Sequence, residues 1–270
     1  MTLLKRSPHP LSVLILCGAV IGVCGLLVSG RAIHTSIPKL LGWRPSPHPK
    51  VRRTGVAIAP HSLIFVQKGL HNCGSISMLE AWARLNPGPR SRLVYRQKDG
   101  SYRVYFAGAG VVNVQHADLA AAEKFRVVEP RPGDPWAEVV LVAFARSLRP
   151  GGTLSLGSTE WVDAGKMGQL LTTASPRALY FKPDLRAPES LAAGTNPISL
   201  DKMDVTFKAT RDHPAVLYTN HLIHIWSVEA YDPAHRRVRA RNPRRTSAEW
   251  VALPDLRTRF EMVEWMESGR

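Results

Sequence analysis

The first pattern along the chain is an unbroken apolar one: the 20 residues from Leu11 to Gly30 carry no charge. At about 1.5 Å per helical residue such a run spans roughly 30 Å, the thickness of a bilayer's hydrocarbon. Lys5 and Arg6 precede it within a short basic tail, residues 1–10. The pattern predicts a single-pass membrane anchor over residues 11–30, with a signal peptide, cleaved near Val28 and Gly30, and a secreted product as the alternative. Basic residues lie on both sides (Lys5 and Arg6 before, Arg31, Lys39, Arg44 and Lys50 after), so the charge rule leaves the orientation open. From 31 to 57 Pro, Arg and His dominate and Pro45, Pro47 and Pro49 alternate, which predicts an extended linker.

From there the periodicities are those of a folded region, taken as residues 58–265. Ser62–Val66 is a short apolar run. Asn72 stands as a helix cap before Ile76, Leu79 and Ala83 at helical spacing, and Asn86-Pro87-Gly88-Pro89 ends that helix. Tyr102–Phe106 and Val111–Gln115, joined by Ala107-Gly108-Ala109-Gly110, predict a hairpin. Trp136–Leu148 predicts a second helix, bounded by Pro135 and by Pro150-Gly151-Gly152. Ala215–Thr219, Leu222–Tyr231 and Arg237–Arg241 read as strands. Helices first and strands afterwards predict an α+β protein of two lobes, 58–165 and 166–265.

With 270 residues and 44% hydrophobic content, the chain has room for one sizeable domain or two small lobes. Its formal charge of +15 favours anionic partners without bearing on the fold. The densest basic run is His235–Arg245, where Arg237, Arg239 and Arg241 alternate with Val238 and Ala240. That alternation predicts a half-buried strand with a solvated basic face, and no aromatic side chain stands in the run to stack on bases. Nucleic-acid binding is therefore not expected. Cys17 and Cys24 lie in the apolar run, leaving Cys73 as the one thiol of the remainder, so no disulfide can form within it. The histidines show no pairing with Cys or carboxylates at ligand spacing, and Gly151, Gly152 and Gly157 make no phosphate loop, so no metal or cofactor is expected. Oligomeric state has no signal in the sequence.

The segment Gln67-Lys68-Gly69-Leu70-His71-Asn72-Cys73 carries the most chemistry. A thiol with a pKa of about 8.5 is mostly protonated at neutral pH, and a helix start favours its thiolate through unpaired N–H groups and the dipole. Gln67 is spaced to offer its amide to an oxyanion. His221 and His224 both lie in the predicted strand, three apart and so on opposite faces, which allows only one of them to serve Cys73 as base. Asn242, held extended by Pro243, is a perch from which a side-chain carbonyl can orient an imidazole.

Taken in order, these segments resemble the calpain family of papain-like cysteine peptidases over about residues 60 to 250. The spacing of Gln67 and Cys73, the run His224-Ile225-Trp226-Ser227-Val228 and the run Arg241-Asn242-Pro243 match that family's three active-site motifs. Trp136 with Ala143-Phe144-Ala145-Arg146-Ser147-Leu148, and the strand pair Tyr102–Phe106 and Val112–Val114, resemble non-catalytic segments of the same core. The resemblance selects His224 over His221. It implies a papain-like fold, with a helical lobe bearing Cys73 and a strand-rich lobe bearing His224 and Asn242. The implied activity is endopeptidase cleavage of protein substrates through a Cys73-His224-Asn242 triad, with Gln67 as oxyanion donor. Gly74 and Arg244 depart from the family, which carries Trp at both positions. No accessory calcium-binding domain is recognisable, and the sequence leaves calcium dependence open. Two other functions fit the same residues: a deamidase, amidase or transglutaminase-type acyl transferase, and a catalytically silent binding module.

Overall fold

The structure is a computed structural model that describes residues 52–125, 128, 134–149, 154, 156, 164–181, 198–219 and 224–267. The apolar run at 11–30, most of the linker, and His221 lie outside the described residues. No helix among the described residues is long and apolar enough to cross a membrane.

The elements run β1 (Val56–Ile58), α1 (Cys73–Leu85), α2 (Pro87–Arg90), β2 (Val94–Arg96), β3 (Tyr102–Phe106), β4 (Gly110–Val114), α3 (His116–Phe125) and α4 (Trp136–Leu148). They continue as α5 (Ala164–Thr172), β5 (Ser175–Tyr180), α6 (Leu200–Ala209), β6 (Ala215–Thr219), β7 (Ile225–Asp232), β8 (Arg237–Arg241), β9 (Glu249–Ala252), α7 (Leu253–Arg259) and β10 (Phe260–Glu267). The protein is thus mixed α+β, with seven helices and two antiparallel sheets among the described residues. The first sheet has the order β1-β2-β3-β4, the second β5-β10-β6-β7-β8-β9.

Helix α1 is buried on nearly every side, from Gly74 to Ala83. A helix with polar residues on one face would float on a core, whereas one apolar all round is enclosed by it. Ile76, Leu79 and Trp82 pack with Val104 of β3, with Phe144 of α4 and with Met167 of α5. The same cluster takes in Val216 and Tyr218 of β6 and Ile225 of β7. The alternate residues Ala215, Leu217 and Trp226 face the other way, into a second cluster built around Phe181, Phe207 and Phe260. Period-two alternation thereby gives β6 two buried faces, and α1 lies against one of them.

Glycine lets α5 approach β10 closely. A Cβ on Gly165 would collide with Glu264, and one on Gly168 with Met266. Trp136, fully buried at the start of α4, stacks on Phe65 with ring centroids 5.8 Å apart, which fixes the chain just before Gln67.

Two expectations are corrected. Strand β7 begins at Ile225, not Leu222, so His224 precedes the strand. Arg241 is 1% exposed rather than on a solvated basic face. The pairing of β7 with β8 shifts register between Val228 and Ala230, and carboxylates from α1 and β7 meet the Arg241 guanidinium inside the protein.

Candidate active site

Cys73 is the first residue of α1 and is partly buried. The backbone N–H of Ile225 acts on its thiol, favouring the thiolate. One helical turn later, Ser77 Oγ donates to the Ile225 carbonyl over 2.8 Å. Residues four apart share a helix face, so Cys73 and Ser77 both face the start of β7, and α1 holds it through the Ile225 carbonyl. His224 is the residue immediately before it. Its N–H donates to Thr219 Oγ1 at 3.0 Å, and its carbonyl accepts from the Thr219 N–H at 2.8 Å. A threonine side chain thus takes up the N–H of the residue at which β7's pairing ends.

Strand parity does not carry through to His224. Trp226, which an unbroken strand would put on the face of His224, lies in the second cluster, while Ile225 packs beside Cys73. Strand β7 begins at Ile225, so strand alternation does not fix the side to which His224 turns. No hydrogen bond joins its ring to the thiol among the described residues.

Gln67 is buried, and its backbone is clamped twice. Its N–H donates to the Pro243 carbonyl over 2.7 Å, and it forms an isolated antiparallel bridge with Val128. This brings the Gln67 segment alongside Asn242-Pro243. The Gln67 side-chain amide donates to the Leu70 carbonyl, bracing the turn that leads into Cys73. An amide carries two N–H groups, so one remains for another acceptor. Asn72 occupies the cap position of α1 but makes no side-chain cap. It is 1% exposed, and both its side-chain polar atoms lack a hydrogen-bond partner among the described residues.

Asn242 follows β8. Its Oδ1 accepts from the backbone N–H of Arg244 at 2.9 Å, and its carbonyl accepts from the N–H of Arg245 at 2.9 Å. The side chain thus turns into its own loop, and no hydrogen bond joins it to His224 among the described residues.

The root of that loop is anchored by a buried ion network. Arg241 Nε donates to Glu80 Oε1 at 2.7 Å and lies 3.3 Å from Glu229 Oε1, while Arg241 Nη1 donates to the Arg245 carbonyl at 2.9 Å. Arg84 joins the same two carboxylates, at 3.0 Å to Glu80 and 2.7 Å to Glu229. Helix α1 therefore holds the strand that delivers Asn242 as well as the one that follows His224. The sequence reading missed Glu80 and Glu229. Glu80 had one signal, a carboxylate in the midst of an apolar helix, which requires a buried cation.

The electrostatics reverse one expectation. Burial is the largest influence on Cys73 and pushes its thiol above the ordinary value. The N–H groups of Ile225 and Gly74 and the charge of Arg244 pull the other way without overcoming it. Burial also holds His224 below the ordinary imidazole value, helped by the charges of Arg244 and His71. Burial thus favours the neutral form of both groups, the protonated thiol and the unprotonated imidazole.

No group of three or more His, Cys, Asp and Glu side chains among the described residues is arranged to hold a metal ion. Comparison with protein-family models and with curated proteins finds no match to this chain.

Proposed function

We propose that the chain is a cysteine endopeptidase of the calpain type, on a papain-like two-lobed core. Residues 11–30 tether it to a membrane, and its partners are protein or peptide substrates. The observation that carries this reading is the grip of α1 on Ile225. Ser77, one turn from Cys73, holds the carbonyl of Ile225, whose N–H acts on the thiol, and His224 is that residue's neighbour. The ordered match of Gln67, Cys73, His224 and Asn242 to the family's motifs supports it independently.

In this mechanism His224 takes the thiol proton of Cys73 as sulfur attacks the substrate carbonyl. The tetrahedral oxyanion is met by the Cys73 backbone N–H and by the Gln67 amide. Collapse expels the amine, protonated by His224, and leaves a thioester on Cys73. Water, deprotonated by His224, then releases the acid and restores the thiol. Asn242 orients the imidazole once its Oδ1 leaves the Arg244 N–H.

The turn-bound Asn242 Oδ1 and the Leu70-bound Gln67 amide favour a second reading, a silent relative that binds peptide without cutting it. The test incubates the full-length chain and its Cys73→Ala variant with an unstructured protein substrate, following fragments by mass spectrometry and ammonia in solution. Fragments that require Cys73 support the peptidase. Ammonia without fragments identifies a deamidase, and neither product identifies the binding module.

A further inference from the structure

Arg244 is exposed, and it stands on a loop whose backbone is fixed on both sides. Its own N–H is held by Asn242 Oδ1 at 2.9 Å, and the preceding carbonyl, of Pro243, by the Gln67 N–H at 2.7 Å. The following residue is held through its N–H by the Asn242 carbonyl and through its carbonyl by Arg241 Nη1, each at 2.9 Å. On the preceding strand, Arg237, Arg239 and Arg241 each pair with a carboxylate. The Arg244 guanidinium, by contrast, has no carboxylate partner among the described residues.

Its charge nonetheless reaches the site. The Gln67 N–H that holds Pro243 belongs to the segment that leads into Cys73, which sets the Arg244 loop at the edge of the site, and the Arg244 charge acts on the Cys73 thiol and on His224. That edge therefore carries an unpaired guanidinium on a backbone held from both sides. Guanidinium pairs bidentately with carboxylate, and a fixed loop lowers the ordering cost of binding.

We propose that Arg244 is a specificity-determining residue that receives a carboxylate of the substrate, so that the peptides handled at Cys73 are acidic ones. The assignment of peptide as substrate rests on the peptidase reading; the anion-receiving role of Arg244 does not.

The test therefore has two arms. In the first, the full-length chain is alkylated with iodoacetate, an anion, and with iodoacetamide, its neutral analogue, and modification of the Cys73 peptide is quantified by mass spectrometry. Taking the ratio of the two rates cancels the thiolate fraction, which Arg244 also influences. Arg244→Ala should lower the iodoacetate-to-iodoacetamide ratio by about fivefold, as expected for one unit charge at close range. Arg244→Lys should keep it, and added salt should shrink the wild-type ratio toward that of Arg244→Ala. A ratio unchanged in Arg244→Ala overturns the proposal.

The second arm compares peptides that differ only in carrying Glu or Lys beside the cut. The Glu peptide should have a kcat/KM roughly tenfold higher, reversed in Arg244→Glu. Cleavage without that preference overturns the acidic substrate class while leaving the peptidase standing. The expected alkylation ratio with no cleavage of either peptide keeps the anion site and sinks the peptidase.

Discussion

Ser77 Oγ donates to the carbonyl of Ile225 across 2.8 Å, one helical turn from the Cys73 thiol. The contact joins the helix that begins at Cys73 to the strand that follows His224. Removing the hydroxyl leaves Cys73 in place but frees the β7 start. Ser77→Ala should cost about 1–3 kcal/mol of stability, the price of an unpartnered buried carbonyl. Turnover should fall further than stability explains, because His224 loses its position. Urea unfolding and steady-state kinetics on the same preparation check both; an unchanged unfolding midpoint would show that Ser77 does not hold the strand.

The Arg241–Glu80 pair makes a separate prediction. Glu80 is fully enclosed and Arg241 is 1% exposed, so deleting either partner strands a charge in a low-dielectric interior. Glu80→Ala and Arg241→Ala should each destabilise by about 3–5 kcal/mol. The double change Glu80→Ala with Arg241→Ala should cost far less than the sum of the single changes, since neither charge is left behind. Additive losses in that double-mutant cycle would mean that the two side chains are not coupled.

Burial of Cys73 and His224 fixes a pH dependence. The Cys73 thiol lies above its usual value because it is buried, so alkylation should still be climbing above pH ~8.5, where an ordinary thiol is half ionised. His224 lies below its usual value, so it stays deprotonated to lower pH than a free imidazole. The acid limb of kcat/KM should therefore fall below pH ~6.5. A flat alkylation rate from pH 5 to 7 would indicate a thiolate–imidazolium pair at rest and contradict this assignment.

Much of this architecture was legible in local pattern. The helix Trp136–Leu148 and the strands Tyr102–Phe106, Ala215–Thr219 and Arg237–Arg241 occur with the bounds that periodicity predicts. Helix α5 was not anticipated: Gly165 and Gly168 lower its helical propensity, and they serve as contact points against Glu264 and Met266. The site was legible as a set of residues and not as an arrangement. Asn72 looked like a cap, yet its amide is buried and makes no capping bond. Arg241 looked like one of three solvated arginines, because alternation cannot show that β7 shifts register or that Glu80 waits on the helix behind it. Helix position predicted an acidic thiol, but desolvation depends on what the fold stacks over Cys73, and that contribution is the larger one.

The central claim is that Cys73 becomes acylated with His224 as its base. The direct measurement is the intact mass of the full-length chain after rapid acid quench during turnover of an activated ester, followed by mapping of the adduct. The account predicts an acyl group on Cys73, absent in Cys73→Ala and forming more slowly in His224→Ala by about 10²–10⁴, the usual contribution of a general base. A wild-type chain that stays unmodified, or that forms its adduct at an unchanged rate in His224→Ala, would contradict it.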